Sequence, residues 1–170
     1  MKEISFRTDV LPLKDVLYRL ALRITQKHED AQDVVQDTLI KVWNKRDDLS
    51  GIDSLEAYCL TICRNLALDK LKAKSSQNES LDSILIDTPD QGGSPYEQML
   101  QKDRIALVRR MVNSLPEKQR SCMQLRDFEG KSYKEIATIL NISEDQVKVN
   151  IFRARQAIKQ KYQQIEGYGL

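Results

Sequence analysis

A chain of 170 residues is long enough for one ordinary domain or two small ones, and 41% apolar with 31% charged residues excludes wholesale disorder. No apolar run approaches the roughly 18 residues of a membrane-spanning helix, and Met1-Lys2-Glu3-Ile4-Ser5 lacks the basic-then-apolar layout of a secretory signal. A soluble protein that stays in the cytoplasm is expected. The net charge of +2 hides an uneven distribution: residues 1–72 are neutral, 73–103 carry −4 and 104–170 carry +6. A basic C-terminal part fits a nucleic-acid reader without requiring one.

Leu13, Val16, Leu17, Leu20, Ala21 and Ile24 recur at helical spacing behind Pro12, which suits a first turn, so a first helix is predicted here. A second stripe (Ala31, Val34, Val35, Thr38, Leu39, Val42) predicts a helix over about 29–46 that ends near Trp43. Glu29 and Asp30 sit at its positive N-terminal end. Residues 47–53 break the pattern. A third helix then starts near Ser54, with Leu55, Tyr58, Cys59, Ile62 and Leu66 on one side. These three helices can pack as one domain.

From about Ala73 to Gly93 the chain is rich in Ser, Asn, Gly and Asp, the composition of a flexible linker. Leu81, Ile84, Leu85 and Ile86 interrupt it and could dock a short turn on a neighbour or partner. Helix resumes at Ser94-Pro95-Tyr96-Glu97, where Ser94 can cap, Pro95 fits the first helical position and Glu97 closes a capping box. Further starts at Pro116, at Ser132-Tyr-Lys-Glu135 and at Ser143-Glu-Asp-Gln146 predict four helices in this second part. At the last of them Ile142 and Val147 are spaced for a hydrophobic staple. The expected fold is all-α, two small helical domains over 1–74 and 94–170 joined by a linker at 75–93.

Between Ser132 and Ile158 a short helix carrying Ile136, Ala137, Ile139 and Leu140, a turn at Asn141-Ile142-Ser143, and a longer helix give helix-turn-helix spacing. Val147, Ile151, Ala154 and Ile158 form the core stripe of the longer helix. Lys148, Val149, Phe152 and Arg153 form a contiguous face turned away from it. Two cations beside Val and Phe suit a major groove, where cations meet phosphate or guanine and apolar groups meet thymine methyls. Arg155 and Lys159 flank this face as phosphate contacts. A solvated basic helix with Phe152 packed on a neighbour is the bland alternative.

Cys59, Cys63 and Cys122 form no Cys-x-x-Cys pair, and His28 is the only histidine, so buried structural thiols are expected rather than a metal centre. No phosphate loop, His-Glu-x-x-His or nucleophile motif is present. The chain reads as a protein that is not an enzyme and needs no cofactor or metal.

Leu115-Pro-Glu-Lys-Gln-Arg120, Phe128 through Ala137, and Val147 through Arg155 together resemble region four of bacterial sigma-70-type factors. Asp30 through Trp43 and Ala57 through Asp69 resemble region two of the same family. Two motifs in the correct order make the likeness specific. With nothing resembling regions one or three, it points to the short extracytoplasmic-function group. The resemblance implies a promoter-recognition subunit of RNA polymerase. Region four would read the minus-thirty-five element and bind the flap of the beta subunit. Region two would bind the beta-prime clamp and help open the minus-ten element.

On the second helix Asp30, Asp33 and Asp37 lie beside Gln36 off the apolar stripe, an edge that on an anonymous helix would simply be solvated. The family match makes Asp33, Gln36 and Asp37 polymerase-docking residues, and an acidic edge would not compete for DNA phosphate. On the third helix Arg64, Asn65, Lys70 and Lys72 could track a separated strand, with Tyr58 either stacking on bases or filling the core. The family usually has Trp at Tyr58, and Ser and Arg where this chain has Val149 and Asn150, so promoter preference should differ from familiar members. The loop 47–53 lacks the aromatic and Arg often found there. The resemblance also implies an anti-sigma protein that holds the two domains inactive. Two other classes stay open on the residues alone: an autonomous dimeric helix-turn-helix regulator, and a thiol or metal sensor using Cys59 and Cys63.

Overall fold

The computed structural model describes residues 3–76 and 95–166, and among these every regular element is helical. The chain enters through a π-helical turn at Phe6–Val10 and a 3-10 turn at Leu11–Leu13 that holds Pro12. It continues as α1 (Lys14–Thr25), α2 (His28–Asn44), a 3-10 turn at Arg46–Gly51, and α3 (Leu55–Ser76). The second half contains α4 (Pro95–Asn113), α5 (Glu117–Met123), a π-helical turn at Gln124–Phe128, α6 (Tyr133–Leu140) and α7 (Glu144–Glu166). The proposed cap Ser94 and the apolar cluster Leu81–Ile86 lie outside the described residues. α3 runs on to Ser76, into the stretch whose composition reads as linker.

In the first half α1, α2 and α3 pack against one another around Leu17, Leu20, Ala21, Ile24, Val34, Val42, Cys59 and Cys63. Each aliphatic side chain buried in this way contributes about 1.5–3 kcal/mol relative to an exposed one. The buried hydroxyls are satisfied within their own helices: Thr25 Oγ1 donates to Ala21 O at 2.8 Å and Thr38 Oγ1 to Val34 O at 2.7 Å. α1 stops where Gln26 adopts a left-handed conformation with φ of 60° and its N–H bonds Leu22 O. The predicted stripes of the first two helices meet this core. Trp43 does not: one residue past Val42 the helix has turned by about 100° and the ring is 46% exposed.

The second half packs α5 and α6 on α7, with Ile136, Ile139, Leu140, Val147, Ile151 and Ala154 buried. The two halves are themselves in contact, α3 against α6 and α1 against α5, and one continuous apolar cluster runs from Leu17 and Leu60 to Leu125 and Ile139. This explains a difference on α3. The predicted face Leu55, Tyr58, Cys59, Ile62, Leu66 is only part of its buried surface; Leu60, Cys63, Arg64 and Ala67 are buried as well, because α3 is covered from both sides.

Candidate nucleic-acid interface

The helix-turn-helix is built by local chemistry. Ser132 Oγ accepts from Glu135 N at 3.1 Å and starts α6. Asn141 ends it in the left-handed region at φ 54°, a conformation Asn tolerates better than most residues. Two residues later the chain closes a reciprocal capping box: Gln146 N donates to Ser143 Oγ at 3.1 Å and Ser143 N to Gln146 Oε1 at 2.9 Å. Val147 is fully buried and Ile142 packs on the same cluster, as the staple spacing predicts. The turn between α6 and α7 is therefore fixed by its own side chains and by one apolar anchor.

Val147, Ile151 and Ala154 are buried and Ile158 partly so, which leaves the opposite side of α7 to solvent. Lys148, Val149, Phe152, Arg153, Arg155 and Lys159 are all exposed, Val149 by 44% and Phe152 by 63%. Phe152 is thus not packed on a neighbouring helix. The flanking cations differ among themselves. Arg155 is committed to Asp127 through two nitrogens, at 2.5 and 3.2 Å, and this hydrogen bonding raises its pKa. Lys148 Nζ lies 5.7 Å from the Tyr133 ring centre, and Arg126 lies over the same ring at 4.4 Å. Arg153 and Lys159 enter no ion pair among the described residues. Asn150 turns its amide back onto Gln146 O at 2.8 Å, so it does not extend the outward set.

The predicted strand-tracking residues of α3 are not brought together as one group. Tyr58, Asn65 and Lys72 recur at seven-residue intervals on one side, with Tyr58 half-buried and the other two exposed. Lys70 points across to Asp33 on α2 at 3.5 Å. Arg64 faces the second half of the chain: its side chain is only 8% exposed, and Nε and a terminal nitrogen reach the two oxygens of Glu117 at 3.2 and 3.0 Å. On α2 the predicted docking residues Asp33, Gln36 and Asp37 are all exposed. Asp30 does not belong to that edge. It is buried and paired with Lys74, because α3 passes directly over the start of α2.

Two features escape a reading of the sequence. Ile40 and Trp43 continue the exposed edge of α2, where the Trp43 ring meets Phe6 edge-on at 5.0 Å and carries Arg46 at 4.2 Å. The available signal is that Ile40 falls three residues after Asp37, off the core stripe. The second is a polar seam between the halves. Arg120, largely buried, donates to Arg23 O and Ile24 O at the end of α1 at 3.0 and 3.1 Å and to Leu115 O at 2.8 Å. Arg23 donates to Gln124 at 2.8 Å and covers the Phe128 ring at 5.2 Å; burial, followed by the nearby Arg109 and Arg120 charges, lowers its pKa to about 10. Arg19 reaches Glu129, Gln26 donates to Asn113 O, and Lys131 pairs with Glu56. Nothing in one-dimensional spacing links positions a hundred residues apart.

The thiols of Cys59, Cys63 and Cys122 are buried and unlinked. Burial pushes them up to about 11, 12 and 12, far from the depressed range of a reactive thiolate. Cys63 Sγ donates to Leu17 O at 3.3 Å, as a core residue would.

Two helical halves, the second presenting a capped helix-turn-helix with a mixed cationic and apolar outward face, define a DNA-reading protein. Residues 10–77 match sigma-70 region 2 and residues 105–158 match sigma-70 region 4. The RNA polymerase sigma-H factor of Pseudomonas aeruginosa is 30% identical over 167 residues, covering 94% of this chain and 86% of that protein. The ECF RNA polymerase sigma-E factor of Escherichia coli strain K12 is 34% identical over 142 residues, covering 79% and 74%. Among solved structures, the sigma factor RpoE bound to the anti-sigma factor NepR from Bartonella quintana superposes with a TM-score of 0.76 at 26% identity over 91% of this chain and 94% of that one. CnrH in complex with the cytosolic domain of CnrY shares the fold, with a TM-score of 0.64 at 22% identity over 91% and 84%. The chain belongs to the extracytoplasmic-function group of the sigma-70 family. Its function is that of the family, to direct RNA polymerase to specific promoters.

Proposed function

We propose that the two halves divide promoter recognition, with 1–74 docking on the polymerase clamp and opening the minus-ten element, 94–170 reading the minus-thirty-five element and meeting the beta flap, and 75–93 as the linker between them. The observation that carries the minus-thirty-five assignment is the outward face of α7, where Phe152 is 63% exposed beside Val149. An aromatic and an aliphatic side chain held in water gain by meeting thymine methyls in a major groove, while Lys148 and Arg153 supply charge to phosphate or guanine. Lys159 grips phosphate at the periphery, and Arg155 does so only by exchanging Asp127 for a phosphate. Tyr58, Asn65 and Lys72 offer one continuous side of α3 to a separated strand, with Lys70 and Arg64 added as their present partners give way.

Asp33, Gln36 and Asp37 form the clamp-docking edge, supported by their exposure and by the apolar continuation at Ile40 and Trp43. The protein acts in the cytoplasm, catalyses no reaction itself, uses no cofactor and is restrained by an anti-sigma factor. The RpoE relative bound to its anti-sigma factor supports that last assignment.

The test is core dependence. Purified protein should protect promoter DNA only with core polymerase, and Asp37→Arg should lower core affinity about tenfold while the second half keeps its affinity for minus-thirty-five DNA. Protection of a palindromic site without core enzyme would instead establish an autonomous dimeric regulator.

A further inference from the structure

We infer that Arg23, Arg109 and Arg120, with Phe128 at their edge, form an oxyanion site for the phosphate chain of a small molecule, a nucleoside triphosphate or an inorganic polyphosphate. The site goes beyond promoter reading and does not depend on it. Arg23 is its centre. It lies in the last turn of α1, partly buried against the second half, and both its hydrogen-bond partners are neutral: Gln124 Oε1 at 2.8 Å and Asn113 Oδ1 at 3.4 Å. It enters no ion pair among the described residues. The charges acting on it are the cations of Arg109 and Arg120, which together with burial lower its pKa to about 10. A guanidinium withdrawn from water ordinarily has a carboxylate beside it.

Local compensation falls short. α1 and α4 both end here, and each helix C-terminus contributes only about half a negative charge. Arg120 already uses the end of α1 by donating to Arg23 O and Ile24 O. Glu117, the carboxylate that acts on Arg120, is engaged by Arg64 and by Ser121 Oγ. Positive charge is left in excess at Arg23. Its Nη2 has no protein partner, and no buried side-chain nitrogen among the described residues is unsatisfied, so that edge of the guanidinium reaches water. Arg23 also lies over the Phe128 ring at 5.2 Å, while the ring itself stays 52% exposed. A planar fork held beside further cations matches phosphate oxygens, and the open ring offers a surface on which a base can stack. α1, α4 and α5 meet around Arg23, which favours a small anion over the backbone of a duplex.

Isothermal titration of the full chain with sodium tripolyphosphate and with ATP and GTP tests the site. Saturable binding is expected, weakened about tenfold or more by Arg23→Gln at unchanged helix content by circular dichroism, and unchanged by Arg7→Gln at an exposed arginine elsewhere. A nucleotide that binds more tightly than tripolyphosphate, with Phe128→Ala removing the difference, identifies the ligand as a nucleotide stacked on the ring. Equal affinities support the phosphate site and make inorganic polyphosphate its ligand. Should Arg23→Gln unfold, the Arg23 Nε–H resonance of the wild-type chain decides: it should shift with tripolyphosphate and not with sodium chloride of equal ionic strength. No saturable binding at millimolar ligand, or full affinity in Arg23→Gln, overturns the site. Loss of minus-thirty-five duplex binding in a folded Arg23→Gln would also overturn it, by assigning the cluster to promoter DNA.

Discussion

Arg155 and Arg153 are two residues apart on α7, yet one is held by Asp127 and the other enters no ion pair among the described residues. An exposed ion pair of this kind is worth roughly 0–1 kcal/mol, so Arg155 can trade its carboxylate for a phosphate at little cost. Arg153 has no such pair to exchange among the described residues. Arg153→Ala should therefore lower promoter affinity by about 1–3 kcal/mol in the polymerase-bound state if the guanidinium reads a base, measured by competition binding on cognate promoters. Unchanged affinity on every cognate promoter would remove Arg153 from the groove. The outward residues of α7 are legible in the sequence because the apolar stripe at Val147, Ile151 and Ala154 fixes which side is left over. Arg64 is not legible in this way, since its neighbours on the helix give no hint that Glu117 covers it.

At the scale of elements, sequence-local chemistry accounts for most helix boundaries. The capping box at Ser143 and Gln146 lies between the two helices of the DNA-reading unit, where it stabilises the first turn of α7 and fixes the entry angle of the chain. Ser143→Ala should cost about 1 kcal/mol and lower the thermal midpoint by a few degrees, read by circular dichroism. No change would mean that the buried Val147 anchor alone defines the turn. Where an element departs from its expected face, packing is the cause. α3 reads as a helix with one apolar side, but it is buried on two, against the first half through Cys59 and Cys63 and against the second through Leu60 and Arg64. Conversely Trp43, the largest apolar side chain of α2, stays at the surface because the stripe has already passed it.

At the scale of the whole molecule, three thiols sit in the core, and their protonation is part of its stability. Their pKa values rise from an ordinary 9.0 to about 11, 12 and 12, chiefly through desolvation, so the folded state holds protons that the unfolded chain has released. The contribution is complete below pH 9 and is lost as pH climbs toward 11–12, by about 1.4 kcal/mol per thiol per pH unit while the folded thiols remain protonated. Denaturant midpoints between pH 8 and 10.5 should fall more steeply for wild type than for a variant with all three replaced by Ala. Equal slopes would place the alkaline loss elsewhere. By itself the sequence determined the helical class, the two apolar stripes that build each half, the capped turn before α7 and the residues facing outward from it, because each follows from periodicity or from a side chain bonding its own backbone a few residues away. Only the tertiary structure decided that the halves meet, that Arg64 and Asp30 turn inward to Glu117 and Lys74, and that Arg120 closes the end of α1. Those pairings span tens of residues and depend on how whole helices cross, a geometry that no local pattern encodes.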